Sequence, residues 1–349
     1  MKTFKTKLKF PYLWEFLLYK EGDKTNMIKT YKGRLGIFEY DDNEFAMKRS
    51  PELHLWYKGK EKDGSNIKIP EGIIDCRYLF LGNQQLETAP IIPEGVVKCT
   101  SMFDGCKNLK KAPIIPASVQ SCFSMFINCR SLEEPPVIPP NVKKCAFMFE
   151  NCKNLKKVPV IPKGVESCAG MFSDCRNIEV APKIPSKVKS CSHMFWNCKN
   201  LKKAPKIPEG VTDCSNMFAH CENLIKAPVI PNGVKYCESM FYDCKKIKIA
   251  PEIPFGVTNC AHMFEDCINL KIVSKIPEDV IDCQEMFANC VNLKIPPIIS
   301  EGTIDCRSMF YNCKNLERFS NVPKTVIYKE NMFTGCKKAF ETLLHEMFS

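Results

Sequence analysis

Residues 155–175 read LKKVPVIPKGVESCAGMFSDC, and the same pattern returns 23 residues away in either direction. One column of the alignment holds Cys76, Cys99, Cys122, Cys145, Cys168, Cys191, Cys214, Cys237, Cys260, Cys283 and Cys306. A second holds Cys106, Cys129, Cys152, Cys175, Cys198, Cys221, Cys244, Cys267, Cys290, Cys313 and Cys336, so the two columns contain all 22 cysteines of the 349-residue chain. Met-Phe stands between them from Met102-Phe103 to Met332-Phe333, replaced once by Leu79-Phe80. Strict self-similarity at this period, without insertion or deletion, marks an array whose units bury their apolar columns by stacking on neighbouring units.

Within one unit, Leu109, Ala112 and Ile115 begin an extended segment in which Pro113 and Pro116 lack N–H donors, so pairing there is expected to be sparse. Ile161 to Val165 reads as a turn in which Gly164 is free to take positive φ. Val165 to Cys168 suits a short second strand. Ala169 to Cys175 predicts a single helical turn, with Met171, Phe172 and Cys175 facing the core. Asn151 and Asp174, each just before a second-column cysteine, suit left-handed backbone. Coils stacked at the strand spacing of about 4.8 Å make a body on the order of 55 Å long.

Residues 1–66 break the period and are rich in aromatics, including Trp14, Tyr31, Phe38 and Trp56; they are expected to form a small N-terminal capping domain of mixed strand and helix. The array is expected over 67–336. Residues 337–349, with apolar Phe340, Leu343, Leu344 and Phe348, suit an amphipathic closing helix. Open ends would otherwise leave an apolar cross-section and unpaired backbone in water.

The charge is mildly basic, +11 from 50 Lys+Arg against 39 Asp+Glu, which permits an acidic partner without demanding one. The basic opening MKTFKTKLK is followed by FPYLWEFLLYK, which carries Glu15 and no small-residue cleavage site. No apolar run approaches the roughly 20 residues that span a bilayer. A reducing cytoplasm is therefore the expected location, with the thiols acting as small buried hydrophobes.

The pattern L-x-x-x-x-I-P-x-x-V-x-x-C-x-x-M-F-x-x-C from Leu155 to Cys175 resembles the BspA-like, or Treponema-type, leucine-rich repeats, and the resemblance covers about residues 67–336. Most units here carry an extra proline after Ala, and cysteine stands where that family usually has Ile. The resemblance implies surface adhesion or protein recognition. The expected fold is an α/β solenoid: a right-handed, leucine-rich-repeat-like array of 11–12 coils with short strands and single helical turns.

Chemistry finds little purchase in the sequence. The cysteine spacings do not match zinc sites, and a nucleophile is needed once, not in every unit. His193 and His262 share a column but lie three coils apart, roughly 14 Å at strand spacing. No P-loop, G-x-G-x-x-G or G-x-S-x-G pattern is present. Carboxylates such as Glu133, Glu134 and Glu150 read as solvated surface. The chain is therefore read as a non-enzyme without cofactor, metal or small-molecule substrate.

Function in such an array belongs to outward columns that depart from consensus. The residue after Met-Phe is Trp196, Tyr242 and Tyr311 in three coils, acidic or small in most others, and Phe147 is a related ring. These are the candidate aromatic anchors for a protein partner. A basic ridge of Lys107, Lys111, Arg130, Lys153, Lys156, Lys157, Arg176, Lys199, Lys202 and Lys203 carries the alternative, an inhibitor or cofactor of a nucleic-acid-handling complex, since such a ridge is able to meet nucleic acid. No membrane partner is expected.

Overall fold

The computed structural model describes residues 28–33, 36–41, 55–57, 59–69 and 72–341. Three antiparallel strands come first: β1 (Ile28–Gly33), β2 (Gly36–Asp41) and β3 (Leu55–Tyr57), in the order β1-β2-β3. Any helix in 1–27 or 42–54, and the closing helix beyond a short helical stretch at 337–341, lie outside the described residues.

From there the chain builds coil upon coil. Parallel bridges join Asp75 to Lys98, Lys98 to Ser121, Ser121 to Lys144, and so on to Asp305 with Tyr328. The short strand expected over 165–168 is thus a single bridged residue per coil, Ser167 in that unit. A second lane is intermittent, with Thr88 to Lys111, Val180 to Lys203 and Ile249 to Ile272. Prolines stand two residues after Thr88, Lys111, Val180, Lys203 and Ile249, with Ser274 in that place after Ile272; they remove donors and keep the lane from forming a continuous ladder.

The expected helical turn over 169–175 is absent, and its replacement explains the repeat. Cys168, Gly170, Phe172 and Asp174 donate their N–H groups to the carbonyls of Ser190, Ser192, Met194 and Trp196 in the next coil, at 2.7–3.0 Å. Met171, Ser173 and Cys175 donate to Cys168, Gly170 and Phe172, three residues back, each at 3.1 Å. An α-helical turn would direct all these donors along its own axis and leave nothing for the adjoining coil. Alternation requires left-handed residues at two points, and Gly170 and Asp174 both have φ of 57°.

Asn151, with φ 59°, and Asp174 meet the expectation for the position before the second cysteine. The other left-handed column, which includes Phe147, His193, Asn216, His262 and Glu285, was not foreseen. Gly164 is not left-handed. Its turn closes by a Val165 N–H bond to the Pro162 carbonyl at 3.1 Å, a geometry that non-glycine residues share at Ser118 and Asn141.

Inside the stack, the consensus Leu, Ile, Val, Met and Phe columns are buried almost throughout. The Phe rings form one continuous pile from Phe80 to Phe333, with successive centroids 5.3–5.8 Å apart and planes within 9° of parallel. Offset stacking of this kind adds to the burial of each ring. At the first coil Tyr57 covers Phe80 at 5.1 Å. At the other end Phe319 meets Phe333 and Phe340 edge-on, at 4.9 and 4.8 Å.

All 22 cysteines are free and buried. The second column does more than fill space. Cys175 Sγ donates to the Phe149 carbonyl at 3.0 Å and Cys198 Sγ to that of Phe172 at 3.1 Å, a bond repeated along the stack. Burial pushes the thiols of Cys76, Cys106, Cys191 and Cys237 up to about 12, and raises most of the others as well.

The sign of the resulting pH effect follows from proton counting. Above pH 9 the unfolded chain releases thiol protons that the folded chain keeps, so stability falls as pH rises. Each such thiol removes about 1.4 kcal/mol per pH unit. Urea midpoints in a non-thiol reductant are expected to drop steeply between pH 8 and 10, and a flat profile would contradict thiol burial. Asp174→Val, a β-branched residue forced to positive φ, is expected to cost about 1–2 kcal/mol or more in urea unfolding, whereas Asp174→Asn, which places there the residue that the column holds at 151 and 289, should cost clearly less.

Candidate functional site

Three outward lanes run along the stack, each holding one residue or adjacent pair per coil. The first carries the lysines. Lys110 reaches Glu87 at 2.8 Å, Lys156 reaches Glu133 at 2.9 Å, Lys157 reaches Glu134 at 2.6 Å and Lys202 reaches Glu179 at 2.8 Å. In every case the acid belongs to the preceding coil, so the sequence distance of 23 becomes a lateral contact.

Nearby, Arg176 lies 2.9 Å and Lys153 3.7 Å from Asp174, and Lys199 is 2.6 Å from Glu222. Among the described residues Lys107, Lys111, Arg130 and Lys203 make no ion pair. Exposed pairs of this kind contribute about 0–1 kcal/mol each; their larger effect is to turn the basic ridge into a lane of alternating sign.

The second lane carries the rings. Trp196, expected to be exposed, is half-buried: it stands edge-on to His220 at 5.6 Å, and His220 stands edge-on to Tyr242 at 4.8 Å. His220 Nδ1 lies 3.1 Å from Asp243. Burial, with Glu265, Asp266 and Asp243 close by, raises the Tyr242 phenol above its ordinary value. Phe147 is half-buried too, edge-on to Phe123 at 5.8 Å and lying across Gly170 of the next coil, where any Cβ would strike its ring. That column holds glycine at 170 alone, directly after Phe147, so a large residue beside a small one was a readable sign of packing. Tyr311 is the exposed member of the set.

The ring lane is acidic. Asp104, Glu150, Asp174, Asp243, Glu265 and Asp266 lie along it, and burial holds the carboxyls of Asp104 and Glu150 above the usual carboxylate range. Amide side chains bridge coils here as well, Asn128 donating to Asp104 at 3.3 Å and Asn312 to Asn289 at 2.9 Å. Among the described residues one set of metal-type donors converges, His262, Glu265 and Glu285, all half-buried.

The third lane escaped the sequence reading. Ile91, Ile114, Val137 and Val160 occupy the position between the two prolines in four consecutive coils, and they project into solvent, with Ile114 and Val160 each 87% exposed. The adjoining Ile92, Ile115, Ile138 and Ile161 are buried. Adjacent apolar residues pointing to opposite sides follow from the period-two geometry of extended chain, which the proline-flanked pairs could have revealed. Farther along, the exposed position becomes Lys183 and Lys206.

Comparison with known proteins agrees with this architecture. A family model described as the BspA type leucine rich repeat region matches in six copies, over residues 61–147, 124–248 and 252–344. None of the curated proteins matches the chain. Among solved structures, a leucine-rich repeat protein from Bacteroides ovatus is similar at 18% identity and TM-score 0.55, covering 92% of this chain and 93% of its own. A leucine rich cell surface protein from Faecalibacterium prausnitzii is similar at 20% identity and TM-score 0.54, covering 88% and 93%. At these identities the two structures support the fold alone. With the family model spanning most of its length and the same coil-on-coil architecture throughout, the chain belongs to the BspA-type leucine-rich-repeat family.

Proposed function

We propose that the chain is a non-enzymatic recognition scaffold that binds a protein partner along the outside of its coils. The observation that carries this reading is the row Ile91, Ile114, Val137 and Val160. Nothing in the core needs these side chains outside, and contiguous exposed apolar surface marks a place where another macromolecule is received. Four side chains in successive coils form a strip that an extended or helical segment of a partner can cover. In the full reading the body is a right-handed solenoid of 11–12 coils, with residues 1–66 and 337–349 closing its ends.

Trp196, Tyr242, Tyr311 and Phe147 belong to the proposal as a second contact region, with Tyr311 the most accessible. Since Trp196, Tyr242 and Phe147 also cover neighbouring coils, truncating them perturbs packing as well as binding. The acids around these rings favour a basic counterpart there. A surface adhesin is the second alternative, the variant of the same recognition role that the family resemblance implies. The proposed location is a reducing cytoplasm, where paired structural disulfides are uncommon.

Nucleic acid is the weaker alternative. The ion pairs from Lys153, Lys156, Lys157, Arg176, Lys199 and Lys202 to carboxylates mean that a polyanion must displace acids to reach six of the ten ridge residues. What favours it is the group without such partners, Lys107, Lys111, Arg130 and Lys203.

Ile114→Lys places at 114 the residue that other coils carry at 183 and 206, so urea stability is expected to stay within about 0.5 kcal/mol. Capture of the partner from native extract should fall at least tenfold, and unchanged capture would remove the apolar row from the interface. Pull-down at two salt concentrations, with and without nuclease, separates the classes. Binding that survives both treatments supports the protein reading; binding lost to nuclease, or lost on reversing charge at Lys153, Lys156 and Lys157, supports nucleic acid.

A further inference from the structure

His262 and Glu265 belong to one coil, and Glu285 occupies in the next coil the same left-handed column as His262. The imidazole Nδ1 lies 2.7 Å from Glu265 Oε2 and 3.9 Å from Glu285 Oε2. One donor atom from each of the three residues falls within 4.8 Å of the other two. From these distances we propose that His262, Glu265 and Glu285 bind one divalent transition-metal ion of the zinc class.

Zinc bonds to imidazole nitrogen and carboxylate oxygen are about 2.0–2.2 Å long, which puts neighbouring donors of a tetrahedral site about 3.2–3.6 Å apart. The observed 2.7 and 3.9 Å lie on either side of that spacing, and the two carboxylate donors lie within 4.8 Å of each other. Backbone bonds hold the residues in register: His262 N–H to the Gln284 carbonyl at 2.8 Å, Glu265 N–H to the His262 carbonyl at 3.2 Å, and Glu285 N–H to the Arg307 carbonyl at 2.9 Å. A preset frame lowers the cost of assembling the donors.

Charge points the same way. Even with His262 protonated, one imidazolium faces two carboxylates, and among the described residues neither Glu265 nor Glu285 pairs with a lysine or arginine. Glu238 of the preceding coil adds further negative potential at the ring. A dication neutralises this cluster where a proton leaves it anionic. Because one donor is an imidazole nitrogen, the site selects zinc, cobalt or nickel over calcium and magnesium, which take oxygen. Three protein donors leave the remaining coordination to solvent.

The cysteines do not compete in the folded protein, since every one is buried and protonated thiol is a poor ligand. Protons do compete. The hydrogen bond that the ring donates to Glu265, aided by the charges of Glu265, Glu285 and Glu238, holds the His262 imidazole above its ordinary range. Metal requires an unprotonated ring nitrogen and ionised carboxylates, so affinity falls as pH drops.

The test is calorimetric titration of the full-length, reduced protein with zinc chloride, and an absorption spectrum with cobalt chloride. One equivalent of zinc is expected to bind, more weakly at pH 6 than at pH 8, and cobalt should show no thiolate charge-transfer band. The variants are chosen from residues that the same columns hold elsewhere: His262→Ser and Glu285→Ser follow Ser239 and Ser308, and Glu265→Ala follows Ala219 and Ala288. Each should fold, as thermal unfolding will report, and each should lose at least about tenfold in zinc affinity. No zinc binding by the parent protein, equal affinity in the folded variants, or a thiolate band with cobalt would each overturn the assignment.

Discussion

The exchange of backbone hydrogen bonds between consecutive coils is the constraint on which this molecule rests. A coil of 23 residues cannot satisfy its own N–H groups while turning so tightly, and it does not try to. In the Met-Phe segment alternate donors serve the coil's own turns and the others cross to the next coil. That division forces left-handed backbone at two columns, places Asn, Asp, Gly, Ser or His in most of those positions, and brings the Phe rings into register. Polar groups buried without partners would be costly, so an insertion within the Met-Phe segment would unpair donors and acceptors between that coil and its two neighbours.

Cysteine takes its place in the same arrangement. It is small enough to pack between the Phe pile and the backbone, and the second-column thiol supplies one more donor to a Phe carbonyl of the preceding coil. A larger hydrophobe would overfill the site and alanine would leave that carbonyl with a single donor. Repetition of the residue therefore reports a packing requirement repeated in each coil and carries no implication of repeated chemistry.

With the interior uniform, individuality moves outward. The lysine lane is tempered by glutamates one coil away, the ring lane is acidic and partly folded back on itself, and the proline-flanked lane exposes isoleucine and valine. These three surfaces differ in sign and polarity although they lie on one scaffold. A partner that reads two of them together can be both steered by charge and anchored by apolar contact.

The 23-residue stride by itself determined the array, the buried Leu, Val, Met, Phe and Cys columns and the left-handed Asn151 and Asp174, because each follows from local spacing or from one residue's backbone preference. It misdirected the reading of Ala169 to Cys175, where three-and-four spacing of apolar residues is common to a helix and to a pair of successive turns. Only the neighbouring coil, by accepting alternate N–H groups, decides between them. The same lateral proximity decided that Lys156 meets Glu133, that Trp196 leans on His220, and that His262 and Glu285 share one small volume. Residues 23 positions apart are distant along the chain and adjacent in the fold, so their chemistry exists only after the coils have stacked.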